Sequence, residues 1–239
     1  MRYKIVFVVI LIFFFKNVTI SAQNETVSFS GFTWNEKLSH DKVGPGDNVY
    51  GLKKNNIHLN CKKQIVLKIL KVKGEWSCAE LFTDTVLGYG TYEFYLNTNL
   101  KRLDKNTVLG LFLYNYKEPP YFNEVDIEFS RWGGELKSNS QYAIHHDLLP
   151  WFYRFNTNKL NKYTIHDIQY KPGEIVFKSY YCDDKKFSDP VLYSTKKYDT
   201  SIDSQNHLVN IRMNFWLYEN KKPRRCRQKA VISRVTFTP

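Results

Sequence analysis

Residues 123–129 read Asn-Glu-Val-Asp-Ile-Glu-Phe, and this stretch decides how the surrounding chain is expected to fold. In an extended strand, successive side chains point to opposite faces of the sheet. Glu124, Asp126 and Glu128 then share one face, while the Val, Ile and Phe residues share the other. The apolar row predicts a strand that packs on a core, and the acidic row predicts a surface that something contacts.

The acidic row contains the two carboxyl groups that cleavage of a glycosidic bond requires. One protonates the leaving oxygen, and the other attacks the sugar or activates water. The Cα atoms of Glu124 and Glu128 are roughly 13 Å apart at about 3.3 Å per residue, and inward-leaning side chains can approach the ~5–5.5 Å of a retaining pair. Asp126 can hydrogen-bond a neighbouring glutamate, and crowding raises at least one pKa in the row. An amphipathic strand with solvated acids gives the same pattern, so this alternative stays open.

The rest of the chain alternates between short apolar runs and Gly, Pro, Asn or Asp breaks, without sustained helical periodicity. This pattern predicts one all-β domain, an antiparallel sandwich of two sheets, over residues 23–239. Lys73-Gly74 and Pro172-Gly173 read as hairpin turns. The predicted strands are 29–34, 64–72, 76–82, 89–96, 108–114, 123–129, 141–145, 163–170, 174–181, 208–217 and 230–238. Segments 148–162 and 185–206 are too irregular to assign.

A second strand, 208–218, divides its side chains in the same way as the acidic strand. Arg212, Asn214, Trp216 and Tyr218 share one face, opposite an apolar row. Charged, amide and aromatic groups together form a plausible sugar-contacting surface. Trp132 has the same parity as Glu128 if the acidic strand continues, which predicts that its ring contacts a sugar as well.

The first 22 residues read as a secretory signal peptide. Arg2 and Lys4 precede an apolar run at 5–15, and Ser21-Ala22 supplies small residues before the expected cleavage point. The run is too short to span a bilayer. We therefore expect a secreted protein, extracellular or periplasmic, that does not stay attached to a membrane after removal of the signal.

Charge and cysteine content leave several alternatives open. The net charge is +12, and much of the excess lies in 221–227, which can contact an anionic polysaccharide or nucleic acid but is more often a solvated loop. No nucleic-acid-binding motif is present, so no nucleic-acid partner is expected. Export permits two disulfides among four cysteines, with Cys61–Cys78 as one candidate pair. The sequence 145–147, His-His-Asp, is the nearest approach to a metal cluster, and a loop is the preferred interpretation.

The acidic strand resembles the Glu-x-Asp-x-Glu signature of glycoside hydrolase family 16, and other segments follow the order of that family. Residues 88–93, Gly-Tyr-Gly-Thr-Tyr-Glu, resemble its Gly-x-Tyr/Phe-Glu strand. Tyr95 stands two residues after that glutamate, where the family often has Arg. Further similar segments are 29–34, 44–48, 108–112, 210–217 and 235–237.

The resemblance implies a concanavalin-like β-jelly-roll sandwich of two curved antiparallel sheets. It also implies that Glu124 is the nucleophile, Glu128 the general acid/base, and Asp126 the residue that orients Glu124. Trp132, Arg212, Asn214, Trp216 and Tyr95 are expected to contact substrate. The shorter signature is similar to that of members active on mixed-linkage glucan and xyloglucan.

The expected function is a secreted retaining endo-glycosidase that hydrolyses β-1,3/1,4-linked polysaccharide by double displacement. A non-catalytic, lectin-like jelly roll is the alternative from another class, because fold does not dictate function. A family 16 enzyme acting on xyloglucan or an algal galactan is a further one. We expect a monomer that requires no cofactor or metal, although some members of the family hold a structural calcium ion.

Overall fold

The computed structural model describes residues 26–52, 55–115, 124–134, 136–145, 150–157, 161–200, 208–225 and 227–239. The predicted signal peptide lies outside these residues. Within the described ranges, none of the helices has the length and apolar character needed to cross a bilayer.

Sixteen strands and three short 3-10 turns make up the described part of the chain. The strands are β1 (Thr26–Phe29), β2 (Phe32–Glu36), β3 (Val49–Tyr50), β4 (Ile57–Leu59), β5 (Ile65–Val72), β6 (Glu75–Leu87), β7 (Gly90–Asn97), β8 (Thr107–Tyr114), β9 (Glu124–Phe129), β10 (Ser140–His145), β11 (Trp151–Phe155), β12 (Tyr163–Lys171), β13 (Glu174–Tyr181), β14 (Val191–Asp199), β15 (Val209–Leu217) and β16 (Gln228–Thr238). The 3-10 turns are Leu100–Arg102, Trp132–Gly134 and Tyr218–Asn220.

The strands form two layers that face each other. The first layer, called here the groove sheet, has the order β11-β10-β9-β8-β15-β6-β2-β1. The second, called here the outer sheet, has the order β4-β5-β16-β7-β12-β13-β14. The long strand β6 joins them, because its start pairs with β5 across the turn at Lys73-Gly74 and its remainder pairs with β15. The predicted two-sheet all-β sandwich is confirmed.

The core lies between the two sheets and shows why the alternating strands fold as they do. Val125, Ile127 and Phe129 of β9 are buried there, together with Ile211 and Phe215 of β15. The outer sheet contributes its own buried row from β5, β7, β12, β13 and β16. At about 25 cal/mol per Å², this apolar burial is the main stabilising contribution, and it fixes which face of each strand points away from the core.

The first predicted strand is wrong in one respect. Residues 29–34 form a hairpin rather than one strand, because Phe29 pairs with Phe32 around a tight turn. Ser30 and Gly31 have φ angles of 54° and 81°, in the left-handed region that an extended strand does not use. The turns at Lys73-Gly74 and Pro172-Gly173 are present as predicted.

Two segments left unassigned contain strands. β11 pairs with β10 at one edge of the groove sheet, and β14 pairs with β13 at one edge of the outer sheet. β14 has mostly exposed side chains, so it lacks the alternation that marks a half-buried strand. Its position depends on backbone pairing with β13, which local sequence does not report.

The candidate pair Cys61–Cys78 does not form a disulfide. Cys61 is exposed after β4, whereas Cys78 is buried in β6, and Cys182 is also a free thiol. Burial raises the pKa of the Cys78 thiol to about 12, so it behaves as a core side chain. Cys226 lies outside the described residues.

Candidate active site

Three adjacent strands hold the acidic row at the centre of the groove sheet. β9 lies between β8 and β10, with Glu128 opposite Gly110 on one side and Gln141 on the other. Because both neighbours are paired, the row cannot slip by one residue without turning the acids into the core. The structure brings Glu124, Asp126 and Glu128 together on the face that points away from the core.

These acids line a groove with a volume of about 370 Å³. Its remaining walls come from β10, the edge strand β11, β15, the loop before β3 and the 3-10 turns of Trp132 and Tyr218. The lining residues besides the acids are Pro45, Trp132, Gln141, His145, Phe152, Arg154, Asn214, Trp216 and Tyr218. This mixture of aromatic rings and a few convergent polar groups is typical of a ligand site.

Glu128 is held by a hydrogen-bonded relay across the edge strands. Gln141 Nε2 donates to Glu128 Oε2 at 2.6 Å, and Arg154 Nε donates to Gln141 Oε1 at 3.3 Å. Arg154 thereby keeps the amide NH₂ of Gln141 turned towards the acid. Burial raises the pKa of Glu128, and the hydrogen bond from Gln141 opposes that rise. A carboxyl that holds its proton at a higher pH suits a general acid.

A hydrogen bond joins the carboxyl groups of Glu124 and Asp126. Burial raises the pKa of Glu124 to about 7, while a hydrogen bond from Asp126 lowers it and the charge of Glu128 raises it. Asp126 is buried, and burial together with the charge of Glu124 raises its pKa well above the usual range. Asp126 therefore holds its proton more tightly than Glu124 and donates to it, so Glu124 is the first of the two to ionise.

His145 lies beside this pair, at the end of β10. Its Nε2 atom is 3.5 Å from Asp126 Oδ2, and burial lowers its pKa. Asp126 Oδ2 has no hydrogen-bond partner within the described ranges, so the 3.5 Å approach is a loose contact rather than an ion pair. His146 and Asp147 of the possible metal cluster lie outside the described residues.

β15 lines the groove on the other side of β8. Asn214 of β15 lies opposite Gly110 of β8, and Gly110 in turn lies opposite Glu128 of β9. A Cβ atom on Gly110 would lie 2.4 Å from Asn214 Oδ1. Glycine is therefore required for Asn214 to lie in this position. Asn214 Oδ1 is buried without a hydrogen-bond partner in the described part of the chain. A hydrogen-bond donor of a ligand in the groove would satisfy it.

Trp216 is fixed by the loop that precedes β3. Gly46 has a φ of 72°, and a Cβ atom there would lie 2.5 Å from the Trp216 ring. Asn48 Nδ2 donates to Leu217 O at 2.8 Å and to Pro45 O at 2.9 Å, which ties the loop to β15. The loop therefore packs against the Trp216 ring, and the rest of the ring faces the groove.

Trp132 also lines the groove, although not by continuing β9 as predicted. β9 ends at Phe129, and Trp132 begins a 3-10 turn with a φ of 41°. Its backbone N–H donates to Ser130 Oγ at 2.9 Å. The expected position is therefore reached through a turn rather than a strand.

Arg212 lies in an adjoining part of the groove. A second cavity of about 310 Å³ shares Pro45, Glu124 and Asn214 with the first and is lined by Arg212, Glu80 and Lys37 as well. The side chain of Glu80 accepts hydrogen bonds from Arg212 Nη1 at 3.0 Å and Lys37 Nζ at 3.1 Å. The groove thus extends past Glu124 as well as past Glu128, which leaves room for a chain that crosses the acidic row.

Tyr95 is not part of this groove. It lies on β7 in the outer sheet, and its ring contacts Phe187, Arg234 and a small cluster around Ile165. The β7 residues of opposite parity fill the core, so Tyr95 points away from both the core and the groove. The prediction that Tyr95 contacts substrate in this groove is wrong.

Several groove residues were missing from the predicted site. Gln141 and His145 have the same strand parity and belong to a predicted strand, so pairing that strand with β9 would have placed both beside the acids. Phe152 and Arg154 lie on β11, which the sequence left unassigned. Lys37 lies outside every predicted strand. Pro45 lies in the similar segment 44–48 and Glu80 in the predicted strand 76–82, but neither pattern places them near the acids.

The described residues contain no group of three or more His, Cys, Asp or Glu side chains arranged to hold a metal ion. The groove is lined by carboxyl, amide, guanidinium, imidazole and aromatic groups.

Neither the protein-family models nor the curated proteins contain a match to this sequence. Solved structures do match. A β-glucanase of Bacillus licheniformis is 16% identical with a TM-score of 0.65, over 86% of this chain and 92% of that chain. A family 16 endo-glucanase of Bacteroides ovatus is 12% identical with a TM-score of 0.65, over 86% and 94%. A Mycobacterium tuberculosis antigen described as a pseudo β-1,3-glucanase is 14% identical with a TM-score of 0.66, over 86% and 91%.

These likenesses show that the chain has the jelly-roll fold of family 16 glycoside hydrolases, as the sequence resemblance implied. Since one protein of this fold is described as a pseudo-enzyme, fold alone does not decide between catalysis and binding.

Proposed function

We propose that this protein is a retaining endo-glycosidase that hydrolyses β-1,3/1,4-linked glucan. The observation that carries the proposal is the row of three carboxyl groups in one open groove, in which Asp126 donates to Glu124 and Gln141 donates to Glu128. Each acid has a different environment, which is what two-carboxylate chemistry requires.

In the first step, a Glu124 carboxylate oxygen attacks the anomeric carbon. The bond from that carbon to the leaving oxygen breaks, and Glu128 transfers its proton to the leaving oxygen. The product is an ester between Glu124 and the sugar, with Glu128 left as a carboxylate. Asp126 remains protonated and supports the charge on Glu124 before attack.

In the second step, the Glu128 carboxylate accepts a proton from water while the water oxygen attacks the anomeric carbon. The ester bond breaks, Glu124 becomes a carboxylate again, and Glu128 recovers its proton. Two displacements at one carbon restore the original configuration, so the reaction is retaining.

The shape of the groove supports action within a long chain. Space extends from the acidic row towards Trp216 and Trp132 on one side and towards Arg212 on the other. Aromatic rings provide flat apolar surfaces for pyranose faces, and Asn214 offers a buried polar atom to a hydroxyl group.

Substitution of either glutamate tests the proposal. We expect Glu124→Gln and Glu128→Gln to lower kcat/KM on mixed-linkage β-glucan by a factor of about 10³ or more, because each removes a group that acts on the reacting atoms. Release of reducing ends is measured across a panel of mixed-linkage glucan, β-1,3-glucan, xyloglucan and agar. Glu75→Gln, an exposed glutamate at the start of β6, is the matched control.

The competing function is a carbohydrate-binding module without turnover. It predicts that wild-type protein binds glucan and releases no reducing ends from any polymer of the panel. Full activity in both glutamine variants would instead show that hydrolysis occurs elsewhere on the molecule.

A further inference from the structure

A pocket lined by cationic side chains lies next to the groove, behind the turn that carries Trp132. Its volume is about 270 Å³. Six of its residues are basic and one is acidic: Lys101, Arg102, Lys105, Arg131, Arg224 and Arg225 against Asp104. We propose that this basic pocket binds the sulfate or carboxylate groups of an anionic polysaccharide strand.

Three loops are tied together to form the pocket. Lys105 Nζ donates to Gly133 O at 2.8 Å, and Arg131 Nη2 donates to Lys101 O at 3.3 Å. The backbone N–H of Arg224 donates to Asp104 Oδ2 at 2.9 Å. The single carboxylate is thus used to hold the loop of Arg224 in place. Of the six cationic side chains, Lys105 and Arg131 are thus held in place before any ligand arrives, which lowers the entropic cost of binding.

The basic side chains of the pocket lack ion-pair partners among the residues that the structure describes. None of its six basic side chains forms an ion pair with an acid of the described ranges. Elsewhere in the same ranges, Lys37, Lys171, Lys197 and Arg212 do pair with carboxylates. Clustered like charges repel one another, and a bound external anion would relieve the repulsion that Asp104 alone does not offset.

The basic surface continues from this pocket onto the outer sheet. Gln228 lines both the basic pocket and a neighbouring cavity of about 680 Å³, which is bordered by Lys68, Arg227 and Lys229. Lys68 and Lys229 are directly opposite each other in the pairing of β5 with β16. Like charges directly opposite in a sheet destabilise it. A continuous series of sites suits a polymer with repeated charges better than a single small anion.

The position of the pocket favours a polysaccharide over other polyanions. Arg131 and Trp132 are consecutive, and they face the basic pocket and the groove respectively. An anionic polysaccharide strand held in the basic pocket would therefore lie beside a glucan held in the groove. This inference goes beyond the proposed function, on which it rests for the choice of a glycan as the occupant.

The test measures binding of four polymers to the Glu128→Gln protein, in which turnover cannot alter the ligand. The polymers are a sulfated galactan, a polyuronate, neutral mixed-linkage β-glucan and single-stranded DNA. Each is titrated at about 50 mM and about 500 mM NaCl, because screening weakens charge-driven binding. The same titrations are repeated with Arg224→Ala/Arg225→Ala added. Lys185→Ala/Lys186→Ala, an exposed pair between β13 and β14, is the charge-matched control.

We expect at least one anionic polysaccharide to bind at low salt and to lose about tenfold in affinity in the arginine variant, with no loss in the lysine control. Whichever of the two anionic polymers binds more tightly identifies the sulfate or the carboxylate as the preferred group. Neutral glucan should bind equally to all three proteins. Unchanged thermal midpoints would show that all variants are folded.

Absence of binding by both anionic polysaccharides overturns the proposal, as does equal loss in the two double variants. If single-stranded DNA binds as tightly as the anionic polysaccharides and loses as much affinity in the arginine variant, the choice of a polysaccharide is overturned. If the hydrolase function itself is wrong, Glu128→Gln changes no activity and the binding comparison still stands, so the two failures are distinguishable.

Discussion

Burial raises the pKa of the Glu124 carboxyl, and the ionised form that catalysis needs is the form that makes the folded protein less stable. The pKa of Glu124 is raised to about 7 in the folded protein, against 4.5 for an exposed glutamate. The folded state therefore favours the protonated form, and stability is lost as the pH rises from about 4.5 through 7. Catalysis needs the ionised form, so the site functions at a cost in stability, as is common for active sites.

Glu124→Gln should therefore stabilise the protein at neutral and alkaline pH while it abolishes activity. A neutral amide still accepts the hydrogen bond from Asp126 and has no charge to desolvate. We expect the free energy of unfolding to rise by about 2 kcal/mol at pH 8 and to change little at pH 4, after allowance for partial exposure of the side chain. Denaturant titration at both pH values measures it, and an equal effect at pH 4 and pH 8 would contradict the assigned pKa.

The sequence predicts individual side chains well where strand parity determines their direction. The acids of β9 and the groove residues of β15 all point as predicted, because the apolar residues between them must reach the core. For Tyr95, strand parity was not enough to predict the position of the side chain. Its parity is compatible with exposure on either sheet, and nothing near it in the sequence says that β7 lies in the outer one.

At the level of elements, the site depends on the register of β9, β8 and β15. Glu128, Gly110 and Asn214 form one row across these strands, and glycine in the middle strand lets the two outer side chains approach. The relay from Arg154 through Gln141 extends the row onto β10 and β11. The sequence predicted most of these strands but could not give their order, because pairing partners lie up to 110 residues apart, as for Thr107 and Leu217.

Gly110→Ala tests the importance of this row. The added methyl group would overlap Asn214 Oδ1, so the buried Asn214 side chain must shift. We expect a loss of about 1–3 kcal/mol in stability, typical of overpacking, and a fall in kcat/KM of about tenfold or more from displacement of Asn214. Asn214→Ala is the matched comparison, because it removes the oxygen atom that the new methyl group would overlap. A loss of stability from Gly110→Ala that is just as large in the Asn214→Ala background would contradict the argument.

At the level of the whole molecule, buried polar groups connect the two sheets. His166 on β12 contacts Ser179 Oγ through Nδ1 and Thr164 Oγ1 through Nε2, both at 2.8 Å, and its ring packs on Phe129 of β9. The Tyr142 hydroxyl, from β10, donates to Ser179 Oγ at 2.8 Å. This network joins the strand that carries the acids to the outer sheet.

His166 should make the protein sensitive to acid. Burial lowers its pKa to about 3, against 6.5 in an exposed histidine. The unfolded chain takes up a proton below about 6.5 and the folded chain does not, so stability falls as the pH drops towards 3. By pH 4.5 this amounts to about 2–3 kcal/mol.

His166→Gln should reduce that dependence on pH, although lost packing lowers stability at pH 7. Denaturant titrations between pH 7 and pH 4.5 compare its slope with those of wild type and of His40→Gln, an exposed control. A slope equal to that of wild type would show that other groups cause the acid sensitivity. No sequence pattern distinguishes this buried histidine from an exposed one, since its burial results from contact between the two sheets.

The central claim is that Glu124 forms a covalent bond with the sugar, and trapping that ester tests it most directly. The probe is a β-linked gluco-oligosaccharide with fluorine at C2 and a dinitrophenyl leaving group. The fluorine slows both formation and hydrolysis of the ester, whereas the good leaving group speeds formation only, so the ester accumulates. Intact-mass measurement followed by peptide mapping locates the adduct. We predict one sugar per chain on Glu124 and none in Glu124→Gln. A label on another residue, or release of dinitrophenol at the wild-type rate by Glu124→Gln, would contradict the account.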